Sequence, residues 1–339
     1  MPTRDLIVVG ASAGGVEALR AFVAGVPADL DAAIAVVLHL PAGGTSALAG
    51  ILGRSGPLPT VTASDGMALR RGRVHVAPPD HHLLVVDGSA RLSHGPTEHG
   101  HRPAVDALFR SAAASHGAGV IGVVLSGALD DGTAGMLAIA GRGGLTVVQD
   151  PDDALYDGMP TSVLRHLTVD HVVPSAKMGA LLRDCVGLQV DTRHEPSGLV
   201  RRETAIAATN GGVHADGVTP LGRPSNFSCP DCDGNLIELD GTSKCFRCHV
   251  GHAWTAEALL VAQGATLERV LWTALRTLEE KAGLVRRMRG DASARGAELL
   301  VRRFPRTEEE AAHAADVLRH HLLSGTFTRP ADVEEESAT

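Results

Sequence analysis

Hydrophobic positions come in short blocks along the first half of the chain. Leu6 to Val9, Ala33 to Leu40, Val74 to Ala77, Gly119 to Leu125, Leu145 to Val148 and Val169 to Val173 are β-branched or aliphatic runs divided by stretches of helical period. Strands that are apolar on both faces are those covered by helices on both sides. The pattern therefore predicts an α/β fold with a doubly wound, mostly parallel sheet flanked by helices. Leu83 to Val86, the turn Asp87-Gly88-Ser89 and Arg91-Leu92 read as a hairpin, which would make one edge of the sheet mixed.

After residue 191 the period is lost in text rich in Gly, Pro, Thr and Asn, and the chain divides accordingly. A first domain spans 1–191, a linker 192–226, a zinc-ribbon module 227–254, a helical hairpin 255–327 and an acidic tail, expected to be disordered, 328–339. Leu260, Leu267, Leu271, Leu275, Leu278, Val285 and Met288 mark one face of the first long helix. Thr307-Glu308-Glu309-Glu310 fits a capping box that would start the second, running towards Leu323. What covers the apolar face is left open between the second helix, the first domain and another copy.

Composition narrows the class. The 339 residues are 44% hydrophobic but only 3% aromatic, with 39 Gly, which describes a core of Val, Leu, Ile and Ala. A net charge of −8 speaks against a nucleic-acid partner. Arg286, Arg287 and Arg289 read as a solvated face. There is no apolar run long enough to span a bilayer and no cleavable leader, so a cytoplasmic protein without membrane insertion is expected.

Four of the five cysteines form two pairs, Cys229-x-x-Cys232 and Cys245-x-x-Cys248. In a reducing compartment this spacing points to metal, and four thiolates would close a tetrahedral structural zinc site with no open position. His249 and His252 could replace a cysteine, although four cysteines make that unnecessary. Cys185, in an apolar context, reads as a buried structural thiol. His81, His82, His94, His99 and His101 lie in turn and loop text without tight ligand spacing, which disfavours a second metal site.

The richest stretch is Leu6-Ile7-Val8-Val9-Gly10-Ala11-Ser12-Ala13-Gly14-Gly15, a strand running into a glycine-rich turn that opens a helix. A dinucleotide cradle would need glycine where Ser12 stands and an acidic residue near His39, at the end of the second strand. Neither is present. A serine, a histidine and the carboxylates of Asp130-Asp131, each following a buried strand, share one rim of the sheet and suit a nucleophile, a base and an orienting acid. The bland alternative is a helix cap, a hydrogen-bonded histidine and a turn. The order Ser, His, Asp matches neither the α/β-hydrolases nor the two well-known protease orders.

Residues 6 to about 190 resemble the catalytic domain of the CheB family, the protein-glutamate methylesterases of bacterial chemotaxis. The resemblance lies in IVVGASAGGVEALR, VVLHLPAGGTSALAGIL, DGMALRRGRVHVAPPDHHLLV, HRPAVDALFRSAA, VLSGALDDGTAGMLAI and VVQDPDDALYDGMP. It implies Ser12 as nucleophile, His39 as general base and Asp131 as orienting carboxylate, with Asp130 at a variable position. It also implies hydrolysis of glutamate γ-methyl esters, with glutamine deamidation beside it, on a methylated chemoreceptor or related helical signalling protein. Catalysis needs no cofactor.

Two departures touch the site. Ala13 stands where the family often has Thr, and Gly127-Ala128-Leu129 where it commonly has Gly-Met-Gly; backbone N–H groups near Ala13 or Ala128 remain as oxyanion donors. Arg102 either shapes the substrate groove or makes a structural ion pair, and Met159 and Pro160 are expected near the rim. With Ser12 so close to the first residue, the family's receiver domain is expected to be missing, and with it control by phosphorylation in cis. The ribbon, followed by GHAW and LWTALRTLEEKA, is similar to tails on some receiverless members. Competing readings are a non-catalytic signalling scaffold that keeps the fold and an esterase for an unrelated small ester.

Overall fold

The computed structural model describes residues 3–43, 46–191, 195–209, 222–239, 245–295 and 298–324. The tail assigned to 328–339 and the middle of the linker, 210–221, lie outside the described residues. The chain forms two compact units, Met1–Leu259 and Leu260–Thr339.

The first unit opens with β1 (Leu6–Ala11), α1 (Gly15–Gly25), β2 (Ala33–Leu38), α2 (Leu48–Ser55), β3 (Thr60–Thr62) and β4 (Arg73–Val76). A hairpin of β5 (His82–Val86) and β6 (Ser89–Ser93) leads to α3 (Val105–His116) and β7 (Val120–Val124). Then come α4 (Thr133–Gly141), β8 (Leu145–Gln149), α5 (Gly158–His166), β9 (His171–Val173) and α6 (Met178–Cys185). Seven strands pair in the order β3-β4-β2-β1-β7-β8-β9, every neighbour parallel. The hairpin does not join an edge of this sheet but forms its own two-stranded sheet, so the main sheet is purely parallel. Its strands pair with each other through the tight Asp87-Gly88 turn, and β5 packs on α3.

Alternation along β1 divides the core. Ile7, Val9 and Ala11 face a layer with Leu19, Phe22 and Leu52, whereas Leu6 and Val8 face one with Leu108, Phe109 and Met136. The chain moves outward from β1 to β2 and β4, then returns to lay β7 on the other side of β1. That reversal leaves a crevice beyond the carboxyl ends of β1, β2 and β7, where ligands bind in open α/β sheets.

The stretch expected to be a linker contains α7 (Gly198–Ala207), whose Ser197 side chain caps it by accepting from Val200 N. Glu203, Ile206 and Ala207 recur at helical spacing and are buried, and α7 packs on α3. A four-stranded sheet follows, β10 (Gly222–Ser228), β11 (Asn235–Leu239), β12 (Cys245–Cys248) and β13 (Ala253–Thr255), all antiparallel. This ribbon belongs to the first unit. It is joined to the α/β domain by main-chain bonds from Ala253 N to Thr97 O and from His99 N to Ala253 O.

The helix α8 (Ala256–Ala294) enters the second unit, where α9 (Glu298–Leu323) pairs with it. Leu271, Leu275 and Leu278 meet Ala315, Leu318 and Leu322, so part of the apolar face is covered by the second helix. Arg286 and Arg289 both reach Glu308. The capping box at Thr307–Glu310 does not form: α9 starts earlier, runs through Thr307 and carries Pro305 inside it, Glu310 accepts from Arg306 instead, and the helix is held by the leucine seam rather than by an unbroken hydrogen-bond ladder. No helix among the described residues is long and apolar enough to cross a membrane.

Close approach explains Gly10. A Cβ there would lie 2.2 Å from Val105 Cγ1, on the first turn of α3. Gly10→Ala is expected to cost about 1–3 kcal/mol of stability by overpacking. Urea unfolding checks this, and adding Val105→Ala should recover most of the loss. Additive damage in the double variant would contradict the contact as the cause.

Candidate active site

Ser12 follows β1 in a tight turn. Its N–H donates to Ser126 O, its carbonyl accepts from Gly15 N, and Gly14 sits at φ 65, a left-handed conformation that glycine adopts without strain. Ser126, at the end of β7, holds the turn from the other side, donating its hydroxyl to Ala13 O and accepting from Tyr156 N. The Ser12 hydroxyl is thus fixed at the crevice.

His39 leaves the end of β2 with its N–H bound to Ala11 O. Its Nδ1 lies 2.9 Å from Ser12 Oγ and its Nε2 2.7 Å from Asp131 Oδ2. The ring thus turns Nδ1 to the serine and Nε2 to the acid, the reverse of the protease template. An ionised carboxylate only accepts, so Asp131 keeps the proton on Nε2 and leaves the Nδ1 lone pair to take the serine's proton.

Asp131 is itself held by a helix. The first turn of α3 has no side-chain cap of its own; Val105 N donates to Asp131 Oδ2 at 2.8 Å and Asp106 N to Oδ1 at 2.9 Å. Burial pushes this carboxyl up, but the bonds from His39 and the backbone, with the neighbouring histidines, hold it well below the usual carboxylate range. A helix amino terminus is a natural seat for such an anion.

The other histidines scatter. His101 stacks on His39 with ring centroids 3.8 Å apart and planes 16° apart. Burial, and then the proximity of His39, lowers its pKa to about 4, so at neutral pH it is an uncharged plate behind the base. His99 donates from Nε2 to Asp106 Oδ2 at 3.2 Å, while its Nδ1 accepts from Thr255 N at 3.2 Å. Burial opposes its charge while Asp106, Asp131 and Asp130 favour it. A ring that accepts from Thr255 N at Nδ1 carries its proton on Nε2, and a second proton on Nδ1 would have to break that bond. His82 is buried between Pro96 O and Ala104 N, and His81 leans on His94.

His99, Asp106 and Asp131 come close enough to hold a cation. Their oxygens are already spent on the N–H groups of Val105, Asp106 and Gly135 and on the two imidazoles. They form a hydrogen-bond network, not a metal centre. Asp130 faces the ribbon, accepting from Thr255 Oγ1 at 2.8 Å, and burial raises its pKa to about 6. Leu129 beside it adopts φ 61, which explains why glycine suits this position.

Arg102 makes the structural pair, bonded to Asp80 Oδ1 and to the carbonyls of His94 and Gly95. Met159 and Pro160 are buried beneath the site at the start of α5. Cys185 is buried, and burial pushes its thiol up. The ribbon cysteines divide: Cys229, Cys232 and Cys248 gather with His252, each offering a ligand atom within 4.8 Å of the others, and Cys245 is not among them.

The spacing of charged residues did not reveal a buried quartet beside the site. Arg110 on α3 binds both oxygens of Glu98 at 2.6 and 2.5 Å, and Arg247 of β12 bonds Glu98 at 3.1 Å and Glu203 of α7 at 2.9 Å. Burial pushes Glu98 up, but the two guanidiniums bring its pKa down to about 2. Because its folded pKa lies below the ordinary 4.5, its contribution is full above about pH 4.5 and is lost as pH falls towards about 2. Glu98→Gln is expected to cost about 3–5 kcal/mol at pH 7, because Arg110 loses its close carboxylate and the buried quartet keeps one uncompensated positive charge. Urea midpoints should show the gap from wild type narrowing between pH 5 and pH 3; a constant gap would count against the ion pairs.

The CheB methylesterase family model matches residues 7–182. A protein-glutamate methylesterase/protein-glutamine glutaminase of Geobacter metallireducens is 39% identical over 176 residues, 51% of this chain and 49% of its own. One from Anaeromyxobacter dehalogenans is 40% identical over 180 residues, 53% of each chain. The crystal structure of the Thermotoga maritima CheB methylesterase catalytic domain superposes with a TM-score of 0.52 at 32% identity, covering 54% of this chain and 98% of that one. The chain spans about half the length of the curated relatives it matches.

Proposed function

The chain belongs to the CheB methylesterase family, and on that premise we propose that it hydrolyses glutamate γ-methyl esters, and deamidates glutamine, on a methylated chemoreceptor or similar helical signalling protein in the cytoplasm. The observation that carries this reading is the continuous chain of bonds from Ser12 Oγ through His39 to Asp131, at 2.9 and 2.7 Å. A bare fold kept as a scaffold has no need to align a hydroxyl, an imidazole and a buried carboxylate.

In this reading Ser12 Oγ attacks the ester carbonyl while His39 Nδ1 removes its proton. Asp131 stabilises the imidazolium, and the neutral His101 ring adds no opposing charge. As the tetrahedral intermediate collapses, the C–O bond to methoxide breaks and His39 returns the proton, releasing methanol. Water, deprotonated by the same Nδ1, then attacks the acyl-serine; the bond from the acyl carbon to Ser12 Oγ breaks, His39 returns the proton to Ser12, and the γ-carboxylate is freed. With glutamine the leaving group is ammonia.

Methanol release from a methylated receptor fragment tests the roles. Ser12→Ala should lower kcat by at least ~10³-fold, and Asp131→Asn by on the order of 10³- to 10⁴-fold with KM little changed. Release undiminished in Ser12→Ala would remove the nucleophile. Hydrolysis of small esters but of no protein ester would instead favour a small-molecule esterase.

A further inference from the structure

We propose that Cys229, Cys232, Cys248 and His252 bind one zinc ion, and that the zinc-bound ribbon holds the wall behind Asp131 in place, so that metal occupancy governs the Ser12–His39–Asp131 site. The second half rests on the esterase reading; the first does not.

The ligand set follows from backbone geometry. Cys245 and Cys248 are the two ends of β12, and residues three apart on a strand point to opposite faces. Cys248 turns towards Cys229 and Cys232, whereas Cys245 lines a cavity of about 300 Å³ with Arg110, Glu203 and Leu239. A tight turn then supplies the fourth ligand. Gly251 N donates to Cys248 O and Cys248 N to His252 O, which folds His252 back beside Cys248. The spacing that matters is therefore Cys-x-x-Cys with Cys-x₃-His.

The distances suit a tetrahedral ion. Cys232 Sγ lies 3.6 Å from Cys248 Sγ, and His252 Nδ1 lies 3.5 Å from Cys248 Sγ and 3.7 Å from Cys229 Sγ. Zinc with Zn–S near ~2.3 Å and Zn–N near ~2.0 Å requires ligand separations of roughly 3.5–3.8 Å. The first knuckle is folded by its own backbone in the same way: Cys229 N donates to Gly234 O and Asp233 N to Cys229 O, both at 2.8 Å, which brings Cys229 and Cys232 to one side of the turn.

The coupling runs from His252 through β13 and His99 to Asp106. His252 leads directly into β13, whose Ala253 carbonyl accepts from His99 N. Thr255 N donates to His99 Nδ1 and Thr255 Oγ1 to Asp130, next to Asp131. His99 in turn bonds Asp106, whose own N–H holds Asp131 Oδ1. On the other knuckle, Thr97 Oγ1 bonds Asp231 at 2.6 Å. Four ligands from two turns thus brace the strand that positions His99.

The test uses the full chain and four variants: Cys245→Ser, Cys248→Ser, His252→Ala and His252→Cys. Metal content after gel filtration, the cobalt(II) charge-transfer spectrum, the ¹⁵N resonances of the His99 ring and methanol release are measured on each. Wild type and Cys245→Ser should carry about one zinc, with a cobalt spectrum of three thiolates. Cys248→Ser and His252→Ala should lose the metal, shift the His99 nitrogens and lower kcat on the order of 10- to 100-fold. His252→Cys should restore metal, His99 resonances and rate, which separates ligand loss from misfolding. Loss of zinc in Cys245→Ser, or full zinc in His252→Ala, would overturn the ligand set. Unshifted His99 resonances or an unchanged kcat in zinc-free His252→Ala would overturn the coupling. If no methylated protein is turned over even by wild type, the esterase reading fails while metal content and His99 resonances still decide the zinc site and its brace.

Discussion

The carboxylate of Asp131 at the amino end of α3 is the constraint on which the site depends. It satisfies two N–H groups that the helix cannot satisfy internally, and the same oxygens orient His39. Folding and chemistry therefore compete for nothing here. The helix needs an anion at its start, and the base needs an acceptor at Nε2. Val105, whose N–H makes one of these bonds, packs on Gly10 of β1, so the position of the helix is referred to the strand that presents Ser12.

A second layer fixes the first. His101 lies flat on His39, and His99 links Asp106 to the ribbon. Beneath them two arginines and two glutamates from α3, α7, β12 and the loop before α3 are buried together with their charges balanced. Isolated buried pairs rarely add net stability over apolar packing, but breaking one is costly. Their effect here is to fix where the ribbon sits. Because the partners lie on separate elements, only one docked arrangement pairs all four charges. The ribbon and the α/β domain then form one unit rather than beads on a linker.

The sheet was readable because its strands are buried on both faces and written as continuous aliphatic runs. The three residues of the proposed triad were readable because Ser12 and His39 directly follow such strands and Asp131 lies in the loop after a third, at ends that a parallel sheet brings to one rim. The short β3 was not, since Thr60-Val61-Thr62 is too brief to show a period. The supporting residues were hidden for another reason. That His99 meets Thr255, 156 positions away, depends on how the ribbon docks, and no local pattern encodes it. The proposed metal ligands depart from the two Cys-x-x-Cys pairs that stand out in the sequence because the second pair is a strand: its alternation sets Cys245 and Cys248 on opposite faces, and the following turn brings His252 beside Cys248.

The central claim is that Ser12 is a hydroxyl activated by His39 and Asp131. Covalent labelling of the native protein with a small alkyl fluorophosphonate, followed by peptide mapping by mass spectrometry, reads that activation without choosing a substrate. The account predicts a single adduct on Ser12, formed rapidly by wild type and slowed by orders of magnitude in Asp131→Asn. Labelling at another residue, or equal labelling of Ser12 in both proteins, would contradict it.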